Sequence, residues 1–303
     1  MRNEINFFEK YHNIYFCYSN LHAFQAIALS KDNPGICYYT NAVSERKLSS
    51  DFNGEILQIS EELALSYLKL SFFLKKSIKI KKNVNIYTGC MNQLTSYMAC
   101  QTYINKKIYL LDDGLATYNL HIDQENAIKR KISLKKYLSS ITKKIIFSFF
   151  RLIGFYDVEN SKDFTQLALF SNGIENGVDL YNQLGSNGKK YIKKYKCILP
   201  AKEEKVKIAS YKESLFLINN KDKDKDKDKD SDKIYLHPRV QERQKDIFLE
   251  EEILSYSKVY LSSSSLILYL IFIEYQGEIW VKEASCSYAL KKFISSFNRI
   301  NYY

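Results

Sequence analysis

The sequence predicts an α/β protein built on parallel sheets, in two halves. Three observations carry this. Short β-rich runs alternate with helical stretches of about 10–15 residues, the pattern of βαβ units. The alternation pauses after residue 111 and resumes near residue 166. Glycine (10) and proline (3) are scarce, which argues against an all-β protein that needs many special turns. The 303 residues fit about two domains, and a chain 46% hydrophobic and 26% charged has enough apolar surface for packed cores.

In the first half, residues 13–18 (NIYFCY) read as a buried strand and 20–30 (NLHAFQAIALS) as the helix behind it. Residues 36–40 (ICYYT) and 55–59 (EILQI) are the next two strands, the second followed by a helix over 61–75. Residues 84–88 (VNIYT) form a fourth strand with a helix near 92–103. A fifth, 108–111 (IYLL), ends at Asp112-Asp113-Gly114. In the second half the strands are 166–170, 215–218, 234–236, 259–261 and 278–281, with an apolar helix over 266–275. Two Rossmann-like domains facing a cleft follow, 1–155 and 156–303, divided near 155–165. Ligands of such sheets bind outside the carboxyl ends of the strands, so the residues just after each strand are the ones to inspect.

Two segments stand apart. Residues 128–155 place Leu134, Leu138, Ile141, Ile145, Phe149 and Leu152 on one helical stripe, with Lys129, Lys136 and Lys143 opposite and no acidic residue. They read either as an interdomain helix or as a peripheral attachment to an anionic membrane surface, where each Lys or Arg contributes about 1 kcal/mol. Residues 221–230 are five Lys-Asp dipeptides, a solvated low-complexity loop.

The net charge is +11. The longest apolar stretch, 266–273, is about half a membrane span, so no membrane crossing is expected. The N-terminus lacks the features of a secretory signal, and the six cysteines are scattered singly, which suggests reduced thiols in a cytoplasmic protein. Four histidines without close Cys/His spacing make a structural zinc site improbable. No glycine-rich dinucleotide fingerprint, P-loop or nucleophile elbow occurs.

Three post-strand motifs can carry chemistry. In Asp112-Asp113-Gly114 a carboxylate can serve as general base, although Asp-Gly is also ordinary turn chemistry. In His237-Pro238-Arg239 the imidazole and guanidinium can meet a phosphate, or the His can simply precede a turn. Ser262 to Ser265 sit where a strand meets a helix, as an anion cradle or an N-cap with extra serines. His12, His22 and His121 read as structural.

The order and spacing of these motifs resemble bacterial sialyltransferases, and most closely glycosyltransferase family 52, which includes lipooligosaccharide sialyltransferases. The opening residues 13–25 resemble the family's first strand and turn, with Ser19 and Asn20 where Thr and Pro are usual. The resemblance implies a two-domain GT-B fold with its site in the cleft. It implies inverting, metal-independent transfer of sialic acid from CMP-sialic acid to a galactoside of a bacterial surface glycan, lipooligosaccharide or capsule, with no cofactor. Asp112 and Asp113 correspond to the acidic pair, with Asp113 the preferred base. His237 would contact the phosphate and act as acid toward it, Arg239 would add a contact, and Ser263 and Ser264 would hydrogen-bond the same phosphate. A glutamate that holds the ribose would come from Glu250, Glu251 or Glu252, with Glu251 standing for the three.

The implied partners are CMP-sialic acid and a glycolipid or oligosaccharide acceptor, at the cytoplasmic face of the inner membrane; a homodimer is left open. Two rival readings are a hexosyltransferase using a UDP-sugar and a non-catalytic binder of nucleic acid or anionic surfaces. Against the last, the aromatics lie inside apolar runs rather than interleaved with lysine as a stacking surface.

Overall fold

The computed structural model describes residues 10–59, 81–90, 103–118, 164–171, 177–209, 233–236, 248–262, 264–297 and 299–303, with residues 93, 95, 96, 99, 100, 120, 174 and 214 between them. The expected helix over 61–75, the basic segment 128–155, the strand 215–218 and the Lys-Asp loop lie outside the described residues, as does half of 92–103.

The chain forms two sheets whose strand pairings are all parallel among the described residues. The first contains β1 (Asn13–Cys17), β2 (Gly35–Tyr39), β3 (Gly54–Gln58), β4 (Val84–Thr88), β5 (Lys106–Leu110), β6 (Phe164–Ala168) and β7 (Gly177–Asp179), in the order β3-β2-β1-β4-β5-β6-β7. The second contains β8 (Lys202–Ile208), β9 (Lys233–Tyr235), β10 (Tyr256–Leu261), β11 (Glu278–Val281) and β12 (Ile300–Tyr302), in the order β12-β11-β10-β8-β9. Both orders reverse direction once, at β1/β4 and at β8/β10. Such switch points open a crevice at the strands' carboxyl ends. Strands β6 and β7 belong to the first sheet, so that sheet runs on past the division expected near 155–165.

Burial explains the order. Every residue of β1 and β2 is buried, as interior parallel strands require, whereas β3 is largely exposed at the sheet's edge. One face of the first sheet carries a tyrosine stack: Tyr15 lies 4.7 Å from Tyr87, and Tyr87 4.8 Å from Tyr109, between ring centroids.

Helix α1 (Asn20–Ser30) starts where the sequence predicts, with Ser19 in extended conformation and its Oγ accepting the His22 N–H. All eleven residues of α1 are buried. Four of them are polar, and each has a task; Ser30 Oγ donates to the Ile27 carbonyl and accepts the Asn53 N–H that leads into β3. Asn20 Oδ1 accepts the Ser44 N–H that opens helix α2 (Glu45–Asp51). Gln25 reaches the loop after β5, and His22 is discussed below. Helix α4 (Ser186–Lys196), which follows β7 and the short helix α3 (Leu180–Gln183), packs against α1. Asp32 caps α4 by accepting the N–H groups of Asn187 and Gly188 at 3.1 and 2.8 Å.

The two sheets share one continuous apolar core. Phe24 of α1 packs 5.3 Å from Tyr195 of α4 and 5.0 Å from Tyr269, which lies on α6 (Leu266–Phe272) behind β10. Phe170, just after β6, meets Phe272 at 6.2 Å and Phe293 of helix α7 (Tyr288–Ile294) at 5.7 Å. The short helix α5 (Leu249–Glu252) precedes β10.

The approach of α4 to α1 depends on Gly188, where a Cβ would fall 2.6 Å from the Ala28 carbonyl oxygen. Backbone cannot yield as a flexible side chain does. Gly188→Ala is therefore expected to lower stability by about 2 kcal/mol, read as a reduced urea midpoint with an unchanged slope.

Candidate active site

The loop after β5 holds the two adjacent aspartates, and burial separates them. Asp112 is fully buried. Its Oδ1 accepts the Gly114 N–H at 2.7 Å, and its Oδ2 accepts the Leu169 N–H at 2.8 Å and the Tyr118 hydroxyl. Its backbone is held equally firmly. The Asp112 N–H donates to Gln25 Oε1, and its carbonyl accepts from Gln25 Nε2, both at 2.8 Å. Burial pushes the Asp112 carboxyl above its ordinary range, opposed by the Tyr118, Leu169 and Gly114 donors. Burial, and then the adjacent carboxylate, raise the Tyr118 phenol in turn. Asp112 thus joins β5, α1 and the end of β6, with its acceptor oxygens already engaged.

Asp113 is the accessible member, its side chain 53% exposed. Its N–H donates to Thr117 Oγ1 at 2.8 Å, which fixes the backbone and leaves the carboxylate facing outward. Oδ1 lies 3.1 Å from Nε2 of His22, which is almost wholly buried. The approach is not aligned as a hydrogen bond, and Nε2 has no other partner among the described residues. An unmatched buried donor of this kind costs about 1–3 kcal/mol. Sequence reasoning assigned His22 a structural role. The signal that marks it is its position one helical turn after β1, at a strand's carboxyl end.

The serine-rich turn after β10 meets this loop. Gly114 has a φ of +70°, and a Cβ there would fall 2.1 Å from Ser265 Oγ. Only glycine satisfies both the backbone conformation and this approach. Ser264 Oγ accepts the Leu266 N–H at 3.3 Å at the start of α6. Ser262 is buried, while Ser264 and Ser265 are partly exposed. The structure therefore sets the Asp112-Asp113-Gly114 loop against Ser265, with Ser264 beside it in the chain. His237, Arg239 and Ser263 lie outside the described residues.

The three glutamates of α5 occupy different surroundings. Glu251 pairs with Lys47 of α2, whose Nζ also lies 2.8 Å from Asp51. Glu252 accepts from the Tyr235 hydroxyl at 2.9 Å and pairs with Lys233 at 3.3 Å. Glu250 is buried, and its Oε2 has no hydrogen-bond partner among the described residues. The donor-binding expectation placed on Glu251 thus falls on a carboxylate that is paired with a lysine and 39% exposed. Burial raises Glu250 to about 7, opposed by the Asn20 side chain. Among the described residues, no three His, Cys, Asp or Glu side chains are grouped to hold a metal ion.

Neither the known protein-family models nor the curated proteins contain a match to this chain. Among solved structures, the chain is similar to an α/β-galactoside α-2,3-sialyltransferase from the luminous marine bacterium Photobacterium phosphoreum, at 15% identity and a TM-score of 0.41 over 96% of this chain and 98% of that one. That likeness is too slight to bear on what this chain does.

The raised Glu250 carboxyl has a signed consequence. Near pH 4 both folded and unfolded chains hold the proton, and Glu250 costs little. Between the ordinary value of 4.5 and about 7 the folded chain alone keeps it, so stability falls as pH rises. Above that the cost is complete, on the order of 3 kcal/mol. Urea melts should show Glu250→Gln level with the native chain near pH 4 and more stable by roughly that amount at pH 8.

Proposed function

We propose that this chain is an inverting, metal-independent glycosyltransferase of GT-B type that moves sialic acid from CMP-sialic acid to a galactoside hydroxyl of a bacterial surface glycan. The observation that carries the reading is the contact of Gly114 with Ser265, which sets a carboxylate-bearing loop of one sheet against a hydroxyl-bearing turn of the other. The chemistry needs that division. Sialic acid leaves through an oxocarbenium-like transition state, so the barrier falls when the departing phosphate is stabilised and the acceptor hydroxyl is held near a base.

In this reading Asp113 takes the proton of the acceptor hydroxyl as its oxygen bonds to the anomeric carbon. The bond from that carbon to the CMP phosphate breaks on the opposite face, and the electron pair leaves with the phosphate. Ser264, with Ser263, donates hydrogen bonds to that phosphate. His237 protonates it, and Arg239 adds charge. Asp112 takes no part in proton transfer; it holds the loop. Glu251, part-exposed beside Lys47, is the glutamate of α5 that would meet the donor's ribose. A lipid-linked acceptor would suit residues 128–155 as a peripheral attachment. No helix among the described residues is long and apolar enough to cross a membrane.

The test is incubation with CMP-sialic acid and a panel of galactosides, with and without a chelator, and with UDP-hexoses in parallel. CMP release with a sialylated product, unchanged by chelation, is expected. Asp113→Asn should lower turnover by roughly 10²–10⁴ with donor affinity preserved. Release of UDP alone, or turnover of neither donor, overturns the reading.

A further inference from the structure

We infer that His22 is the positioning residue for the Asp113 carboxylate; this rests on the reading of Asp113 as the base. The imidazole is fixed on several sides. Its Nδ1 accepts the Tyr18 N–H at 3.3 Å. The backbone of Gly89, just after β4, lies flat against the ring, where a Cβ would fall 2.0 Å from Cε1. The Tyr18 ring stands edge-on at 6.4 Å between centroids, and its hydroxyl is anchored 3.0 Å from both Thr95 Oγ1 and Ser96 Oγ. The loop after β1, the loop after β4 and the segment beyond it therefore grip one side chain. They do so at the point where the first sheet's strand order reverses.

The gripped ring has a defined tautomer. Because Nδ1 accepts the Tyr18 N–H, the proton of the neutral imidazole sits on Nε2. That nitrogen is buried without a hydrogen-bond partner among the described residues, and Asp113 Oδ1 lies 3.1 Å away. The ring cannot move, but the half-exposed carboxylate can turn. Rotation of Asp113 aligns Oδ1 with the Nε2–H and directs Oδ2 toward the cleft. His22 then holds one oxygen while the other meets the acceptor hydroxyl. It carries no proton through the reaction and touches no substrate.

The experiment is a double-mutant cycle on kcat and KM, using His22→Leu and His22→Gln in the native and Asp113→Asn backgrounds. Glutamine places an amide N–H close to the Nε2 position. His22→Leu should lower kcat roughly 10–100-fold with little change in donor KM, and His22→Gln should recover most of the loss. In the Asp113→Asn background His22→Leu should cost less than about twofold, because its effect passes through the missing carboxylate. Equal losses in both backgrounds, or glutamine no better than leucine, overturn the inference.

A second measurement needs no turnover. Long-range ¹H–¹⁵N spectra of the native chain should show His22 as the Nε2-protonated tautomer, with an Nε2 resonance that moves in Asp113→Asn. A proton on Nδ1, or a resonance indifferent to Asp113, overturns the inference even if a His22 variant fails to fold. A coupled pair in a chain that turns over no sialyl donor would instead refute the transferase reading and leave the contact standing.

Discussion

The buried carboxylate of Asp112 is the constraint on which the candidate site depends. A charge without solvent is tolerated only when donors surround it. Here the donors come from three directions: the loop's own Gly114, Tyr118 a turn later, and the Leu169 N–H at the end of a neighbouring strand. Gln25 closes the arrangement by binding both backbone groups of the same residue. A loop held this way has one conformation, and that conformation turns the next side chain outward. The two aspartates thus divide between them the work of fixing a place and presenting a group.

A second level of order comes from topology. Each sheet reverses its strand order once, and at each reversal the chain places polar groups just beyond the strands: His22 in the first turn of α1 and the Gly89 backbone in one sheet, the serines in the other. The aromatic contacts of Phe24 on α1 with Tyr269 on α6, and of Phe170 after β6 with Phe272 on α6, tie the two sheets together. Lys47 adds a charged strut from α2 to Glu251, its ammonium lying over the Tyr195 and Phe248 rings. Apolar packing sets the separation of the sheets, and polar groups at their edges give that separation a chemical meaning.

Much of the first sheet was legible in the sequence, and the reasons are local. The runs at β1, β4 and β11 are apolar enough to announce buried strands, and Ser19 announces the start of α1. Strand β8 was not legible, because its residues Lys202–Ile208 carry five charges and four of them are exposed. Its identity comes from pairing with β10 and β9, which no local pattern encodes. Helix α4 was hidden by its lysines, since Tyr191, Ile192 and Tyr195 supply only a narrow buried stripe. In the site, the acidic pair and the serines could be found from their place after strands. The difference between Asp112 and Asp113 could not, because adjacent identical residues differ only in what folds around them. The approach of His22 to Asp113 was equally hidden: it joins loops from β1 and β5, which only the parallel order through β4 brings near each other.

The bare α-carbon of Gly114 seated on Ser265 has a mechanical meaning. It is a stop: where two sheet edges touch without space for a methyl group, nothing can be threaded through that point. A ligand bound nearby would therefore lie beside this contact and not across it.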